Sequence, residues 1–362
     1  MDYVAPPALV TSAVVNPRLQ WLRRLVILTS VWAFCVILLG AYTRLVDAGL
    51  GCPDWPGCYG FLTVPNEAHE IEIAEARFPH APVEAHKGWP EMVHRYFASA
   101  LGLLIFAIAA LSWRDISPKS VPGAHRPPRK LTLFLCALVI LQGLFGMWTV
   151  TLKLWPQVVS AHLLGGFCTL TLLAITAMRL LDRPLIVSAE TLRRWRRLRP
   201  LALFAVAILS VQIFLGAWVT SNYAAVACPD FPTCQEKLWP EMDFQHGFNL
   251  TQTIGPNYLG GLMHNEARVA IHMTHRLGAV AVLLVLGGFL LAAWRCSQGS
   301  PLRRTLGLTG ALLLLQIALG VTNVVALVPL PVAVAHNGVA VLLLISLVWV
   351  TYRLWTAKEV RS

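Results

Sequence analysis

The sequence predicts an all-α polytopic membrane protein. Its eight transmembrane helices are expected as two tandem four-helix bundles, related by a pseudo-two-fold axis along the membrane normal. Three observations carry this. Of 362 residues, 56% are hydrophobic and only 13% charged, about half the roughly 25% charged usage of a soluble domain. Apolar runs long enough to cross a bilayer recur eight times. The landmarks of the first half return in order in the second. This composition excludes a disordered chain and argues against an ordinary cytosolic enzyme, because so much apolar surface has to face lipid.

The runs lie near 20–43, 92–113, 131–151, 158–181, 200–221, 271–294, 302–325 and 332–355. Each has about 20–24 residues, enough for a hydrocarbon core of roughly 30 Å. The first is too long for a cleavable signal peptide. It ends in Gly40-Ala41-Tyr42-Thr43-Arg44, which lacks a small-residue cleavage pattern. The second opens on Glu91 to Arg95, the third holds Gln142 and Gly146, and the fourth holds His162. The fifth closes on Gly216-Ala217-Trp218, the sixth opens on Met273 to Arg276, the seventh holds Gln316 and Gly320, and the eighth holds His336.

An even number of spans puts both termini on one side. Of the 29 Lys and Arg residues, 21 fall in the N-tail, the second, fourth and sixth loops and the C-tail. The other 8 lie in or beside the remaining loops, together with 13 of the 18 acidic residues. The positive-inside rule makes both termini cytoplasmic. The formal net charge of +11 therefore reads as an orientation signal for a lipid bilayer. A nucleic-acid partner is not expected, because a binding patch would not alternate loop by loop.

The halves match at fixed offsets. Gly40-Ala41-Tyr42 and the run Cys52-Pro53-Asp54-Trp55-Pro56-Gly57-Cys58 recur 176 residues later as Gly216-Ala217-Trp218 and Cys228-Pro229-Asp230-Phe231-Pro232-Thr233-Cys234. Met92-Val93-His94-Arg95 recurs after 181 residues as Met273-Thr274-His275-Arg276, and Gln142, Gly146 and His162 recur after 174 as Gln316, Gly320 and His336. Each unit has an even number of spans, so the copies share one orientation. The expected divisions are a cytoplasmic N-tail 1–19, an N-terminal bundle 20–181, a basic cytoplasmic linker 182–199, a C-terminal bundle 200–355 and a cytoplasmic tail 356–362. Only the outer loops 44–90 and 222–270 are long. The first is acidic over 66–86.

The four repeat-matched histidines, His94, His162, His275 and His336, are expected one to two turns inside the outer ends of the even-numbered helices. An imidazole in a membrane needs a partner. Two at one depth on neighbouring helices suit the axial positions of a heme iron. The plainer reading gives each ring a carbonyl, and zinc is the other metal; no Cys or carboxylate cluster completes a zinc site within a half. One heme site per half is the favoured expectation. His69, His80, His86, His125, His246 and His264 read as solvated, and His272 is open. Where the second half has His272, the first has Glu91, one turn before His94. A carboxylate beside a heme can hold a proton, although an acidic residue after Trp89-Pro90 also suits a helix N-terminus. Arg95 and Arg276 either meet heme propionates or snorkel to the interface. Each outer Cys pair encloses a Pro-Asp-aromatic-Pro turn in an oxidising compartment, so Cys52–Cys58 and Cys228–Cys234 are expected as disulfides, structural or redox-active. Cys35, Cys136, Cys168 and Cys296 read as packing residues.

Together these residues resemble the heme A synthase family over almost the whole chain. The resemblance rests on the eight spans in a four-helix repeat, Glu91-Met92-Val93-His94-Arg95, His162, Met273-Thr274-His275-Arg276, His336 and the two Cys pairs. It implies an oxidoreductase of the bacterial inner membrane that oxidises the C8 methyl of heme O twice, yielding the formyl group of heme A for terminal oxidases. It further implies that His275 and His336 hold a permanent heme b, that His94 and His162 bracket heme O, and that Glu91 is the catalytic acid. Heme O synthase (the protoheme farnesyltransferase) and an electron-transfer protein are the implied partners; a homo-oligomer is left open. The segment 66–86 has no role in the resemblance. The alternatives are a quinol-linked diheme b-type electron-transfer subunit, which needs only the four histidines, and a parallel-repeat transporter, for which no pair of broken spans is apparent.

Overall fold

The computed structural model describes residues 17–114 and 127–360. Part of the expected N-tail, His125, and Lys119 and Arg126 of the second loop lie outside them, as does Arg361. Among the described residues, eight helices are long and apolar enough to cross a membrane. They are α1 (Pro17–Leu45), α3 (Ala85–Trp113), α4 (Arg129–Thr151), α5 (Pro156–Leu181), α6 (Ala189–Ser221), α8 (Asn265–Arg295), α9 (Leu302–Val325) and α10 (Leu330–Thr356). Two short helices, α2 (Ala68–Arg77) and α7 (Phe244–Gly247), stand in the long loops. Large apolar side chains such as Leu103, Leu284 and Leu314 are 71%, 69% and 66% exposed. Outward faces of that kind are suited to lipid and not to water.

The helices pack as two closed rings. In the first, α1 meets α3, α3 meets α4, α4 meets α5 and α5 returns to α1. In the second, α6, α8, α9 and α10 close in the same order. Between the rings, α1 packs on α10, α6 packs on α5, and α5 meets α10. Exchanging α1 for α6 and α5 for α10 leaves this contact set unchanged, which is the behaviour of a two-fold relation. One continuous core joins both rings, from Val36, Leu101 and Leu173 to Leu209, Leu286 and Leu347. The histidine-bearing helices α3 and α5 therefore sit diagonally across a ring, as do α8 and α10. The expectation of neighbouring helices is corrected accordingly. Diagonal helices face each other through the bundle interior, the place where helical bundles hold cofactors.

Several helices outrun their apolar cores. The largest difference is α6, which starts at Ala189 and absorbs most of the basic stretch expected as linker. Ser188 caps it, its hydroxyl accepting from Thr191 N–H at 3.3 Å. Trp195 is fully buried and donates through Nε1 to Cys296 O at 3.2 Å. Arg199 reaches Leu354 O at 3.0 Å. The basic run thus has one packed face, which hydropathy does not reveal. The remaining connection includes β1 (Ile186–Val187), paired in parallel with β2 (Lys358–Glu359) after α10, a two-stranded patch on an otherwise helical chain. Beside it Asp182 accepts from Trp349 Nε1 at 2.8 Å and pairs with Arg353 at 3.2 Å.

Candidate functional site

The two outer loops begin alike. Cys52–Cys58 and Cys228–Cys234 are both disulfides, as the spacing predicts. Asp54 accepts from Tyr59 and Gly60 N–H at 2.6 and 2.8 Å, and Asp230 accepts from Gln235 and Glu236 N–H at 2.6 and 3.0 Å. Cys58 exchanges backbone hydrogen bonds with Phe61, and Cys234 does so with Lys237. An arginine from the adjoining helix holds each loop. Arg95 Nη1 donates to Gly57 O and, at 3.3 Å, to Pro56 O. Arg276 donates to Thr233 O at 2.8 Å, Cys228 O at 3.0 Å and Asp230 O at 2.9 Å. Both guanidinium groups therefore clamp their own disulfide loops. Of the donors, Arg276 Nε is buried without a partner.

Beneath these loops lie the four histidines. His94 and His275 sit between two and three turns inside α3 and α8, deeper than expected because those helices begin earlier. His162 and His336 sit under two turns inside α5 and α10. The rings of His94 and His162 face each other edge to face, with centroids 6.5 Å apart. Two metal–nitrogen bonds of about 2.0–2.1 Å and two ring radii sum to about 6 Å, so an ion coordinated by both rings fits that separation. Each of the four rings lies against a glycine of the next helix: His94 on Gly40, His162 on Gly146, His275 on Gly216 and His336 on Gly320. The sequence shows these glycines only as repeat landmarks; the structure makes them ring seats.

The tightest seat is Gly40, where an added Cβ would stand 2.9 Å from His94 Cε1. Gly40→Ala therefore pushes the ring away at a cost of about 1–3 kcal/mol. It is expected to weaken ligand binding in the first bundle and leave the second unchanged. Gly143→Ala, at a position with nothing within 4 Å of the new atom, is the matched control. Titration of heme into both variants, read by visible absorption, checks this.

The halves then diverge. Glu91 is 5% exposed and held on both oxygens. Oε2 accepts from Cys52 N–H at 2.9 Å and Oε1 pairs with Arg95. The first disulfide loop therefore grips the carboxylate directly. Its counterpart His272 is also buried, but Nδ1 donates to Ala224 O at 2.9 Å, so that ring is committed to a carbonyl. Glutamines differ too. Gln212 Nε2 lies 3.1 Å from His275 Nδ1 and Gln316 Nε2 lies 3.2 Å from His336 Nε2. In the first half Gln142 Nε2, His94 Nδ1 and His162 Nδ1 are buried with no hydrogen-bond partner, as is His336 Nδ1 in the second, and the residue matching Gln212 is Val36. The second pair of rings is thus oriented by amides, and the first is not. Gln316 carries a signal in the repeat; Gln212 carries none.

The outer coverings also differ. The acidic segment 66–86 forms α2, started by a capping box of Glu67 and Glu70. It folds onto its own disulfide loop, burying Ala74 with Cys52, Cys58, Tyr59, Val64 and Met92, and Tyr59 Oη donates to Pro82 O at 2.8 Å. In contrast, outer loop two crosses to the first bundle. Trp155 Nε1 donates to Gln252 O and Gln157 Nε2 to Leu250 O, both at 3.0 Å, and Tyr258 N–H reaches Lys153 O at 3.0 Å. Arg44 completes the crossing, donating to Thr220 O at 2.7 Å and stacking 3.8 Å over Tyr223. The entrance to α5, and so to His162, is covered by the other half of the chain.

This arrangement has close relatives. A curated protein of Shewanella oneidensis named heme A synthase is 44% identical over 93% of this chain and 97% of its own length. Proteins of the same name from Rhizorhabdus wittichii and a Chelativorans species are each 29% identical, over 92% and 93% of this chain and 94% and 91% of theirs. The profile of the COX15-CtaA family, described as cytochrome oxidase assembly protein, matches residues 23–348, which takes in both rings, all four histidines and both disulfides. By that span, and by similarity along nearly its full length, the chain belongs to the COX15-CtaA family of cytochrome oxidase assembly proteins.

Proposed function

We propose that the chain acts as its relatives are named, oxidising the C8 methyl of heme O to the formyl group of heme A. The observation that carries the assignment of parts is Glu91, the one buried carboxylate among the described residues, one turn from His94 in only one of two matched histidine pairs. Heme O is the substrate of the first bundle, between His94 and His162. Heme b is the resident group of the second, between His275 and His336. The residues fit such groups: paired imidazoles on diagonal helices, glycine seats beneath them, and buried Nδ1 atoms of His94, His162 and His336 with no protein partner. The amide-oriented rings of the second bundle suit a permanently held group, because outer partners fix ring orientation and tighten binding. The unoriented rings of the first suit a ligand that enters and leaves. Arg276 Nε is the donor left for a propionate.

The chemistry runs in two like steps. In each a C–H bond of the methyl breaks and a C–O bond forms to oxygen supplied by one water, releasing two protons and two electrons, so the carbon becomes a primary alcohol and then a gem-diol, and the diol loses one water to give the formyl group. The carbon gives up four electrons in all, which a redox partner has to accept. His275 and His336 would hold heme b, which would supply a one-electron redox group in the second bundle. Glu91 moves protons, taking one as the carbon is oxidised and returning one to the departing hydroxyl of the diol. Arg95 and Cys52 N–H position it. Crossing residues 250–258 and the α2 cap keep bulk water from the first bundle. In this reading both termini lie in the cytoplasm and the heme sites near the outer face of a bacterial inner membrane, which the alternation of basic residues along the sequence supports.

The test is pigment extraction from the purified chain with mass analysis. Co-expressed with heme O synthase, it should carry heme B together with heme O or heme A. Heme B alone at both sites, with no heme A formed, overturns the reading and favours a diheme electron-transfer subunit.

A further inference from the structure

Outer loop two carries a cluster that neither heme ligation nor the proposed reaction uses. Asp243, His246 and His264 each bring a ligand atom within 4.8 Å of the others, the one such group among the described residues. Asp243 Oδ2 is 2.6 Å from His246 Nδ1 and 3.2 Å from His264 Nε2. The two rings meet edge to face with centroids 5.3 Å apart. The sequence reads both histidines as solvated and separate; the fold joins them. Asp243 N–H donates to Glu266 O at 3.1 Å, and Trp218 Nε1 donates to Gly247 O at 2.8 Å, which pins the 243–247 turn to the start of α8 and the end of α6. The carboxylate divides its oxygens. Oδ1 accepts from His246 N–H at 3.0 Å, leaving Oδ2 to the imidazoles. His264 is the N-cap residue of α8, yet its side chain makes no capping hydrogen bond and turns to Asp243 instead.

We propose that Asp243, His246 and His264 form a site for one divalent transition-metal ion of the zinc class on the outer face of the chain. Two imidazoles and a carboxylate are the donor set of three-ligand centres that leave further positions to water. That set favours zinc, copper, nickel or cobalt over magnesium and calcium, which take oxygen ligands. Tetrahedral ligands bonded at about 2.0–2.1 Å stand about 3.3–3.4 Å apart. The 3.2 Å contact already matches, and the 2.6 Å contact opens by a small swing of His246, whose side chain is 62% exposed. As hydrogen bonds alone, such exposed pairs contribute little to stability. A bound ion would tie the turn to the residue ahead of α8, the helix that carries His272 and His275.

The full chain, purified in detergent without a polyhistidine tag and treated with EDTA, is titrated with Zn(II) by calorimetry and with Co(II) by visible absorption. One equivalent should bind. His246→Ala/His264→Ala should weaken binding by more than the about 10–100-fold that follows loss of an outer-shell partner, and Asp243→Asn should weaken it less. The b-type heme spectrum should be unchanged in each variant, which reports an intact fold. His69→Ala/His80→Ala, removing exposed histidines of the other outer loop, should bind as the parent does. No saturable Zn(II) binding by the parent, or equal binding by the His246→Ala/His264→Ala variant, overturns the proposal. So does binding lost only in the His69→Ala/His80→Ala variant.

Discussion

Glu91→Gln should lower heme A formation by about 10²–10⁴-fold, the usual contribution of a positioned acid or base, while the b-type spectrum of the second bundle stays as it is. Glutamine keeps the shape and can still accept from Cys52 N–H, which bonds the carboxylate at 2.9 Å. It loses the negative charge opposite Arg95 and the capacity to carry a proton. Arg95 keeps Pro56 O and Gly57 O as partners, so the disulfide loop remains clamped. A purely structural Glu91 predicts another outcome. Loop order would fall with the charge, and the Cys52–Cys58 bridge, buried in the parent, would become open to reductant. Lost product with an unchanged rate of disulfide reduction and heme O still bound is the signature of proton handling. Turnover within a few-fold of the parent, measured by extracting and quantifying heme A, would falsify the catalytic assignment.

The features legible in the sequence are those that a repeat or a bilayer imposes. Eight spans follow from apolar length. The four histidines and the Glu91–His272 difference follow from offsets of 181 and 174 residues that align two copies of one bundle. The disulfides follow from six-residue spacing around a turn. What hydropathy missed are contacts between parts that face neither lipid nor a matched partner. The basic run before Pro200 looks like a linker, yet Trp195 and Arg199 dock it against Cys296 and Leu354. Segment 66–86 looks like acidic surface, yet Ala74 and Phe78 seat it on the disulfide loop. Residues 250–258 match no landmark of the first half, so the repeat says nothing of their crossing to Trp155 and Gln157. Diagonal placement of the histidine helices was hidden because a sequence gives order along the chain and not order around a ring. The glycine seats were visible as landmarks, but only the ring contacts explain them.

His336→Ala should strip the resident heme from the second bundle, leaving an inserted protein whose heme-to-protein ratio falls far below that of the parent. The argument rests on how α10 and α9 hold that ring. His336 lies against Gly320, where an added Cβ would stand 3.2 Å from Cε1, and Gln316 approaches from the same helix at 3.2 Å. With the ring gone, one axial position loses its imidazole; Gly320 offers no side chain in its place, and the neutral amide of Gln316 is a poor iron ligand beside an imidazole. A graded series separates ligation from packing. Gln316→Ala removes an outer partner and should weaken heme retention by about 10–100-fold. His336→Ala removes the ligand and should cost more. His162→Ala, the matched change in the first bundle, should leave the resident spectrum intact and abolish heme O binding there. Visible spectra of the dithionite-reduced proteins, together with extracted heme per polypeptide, read all three. A full b-type spectrum in His336→Ala would move the resident heme out of the second bundle. Loss of it in His162→Ala would exchange the two roles. Because the rings share no histidine and touch through α1, α5, α6 and α10, the two sites have the independence this series needs: each histidine can be removed while the other bundle keeps its diagonal pair.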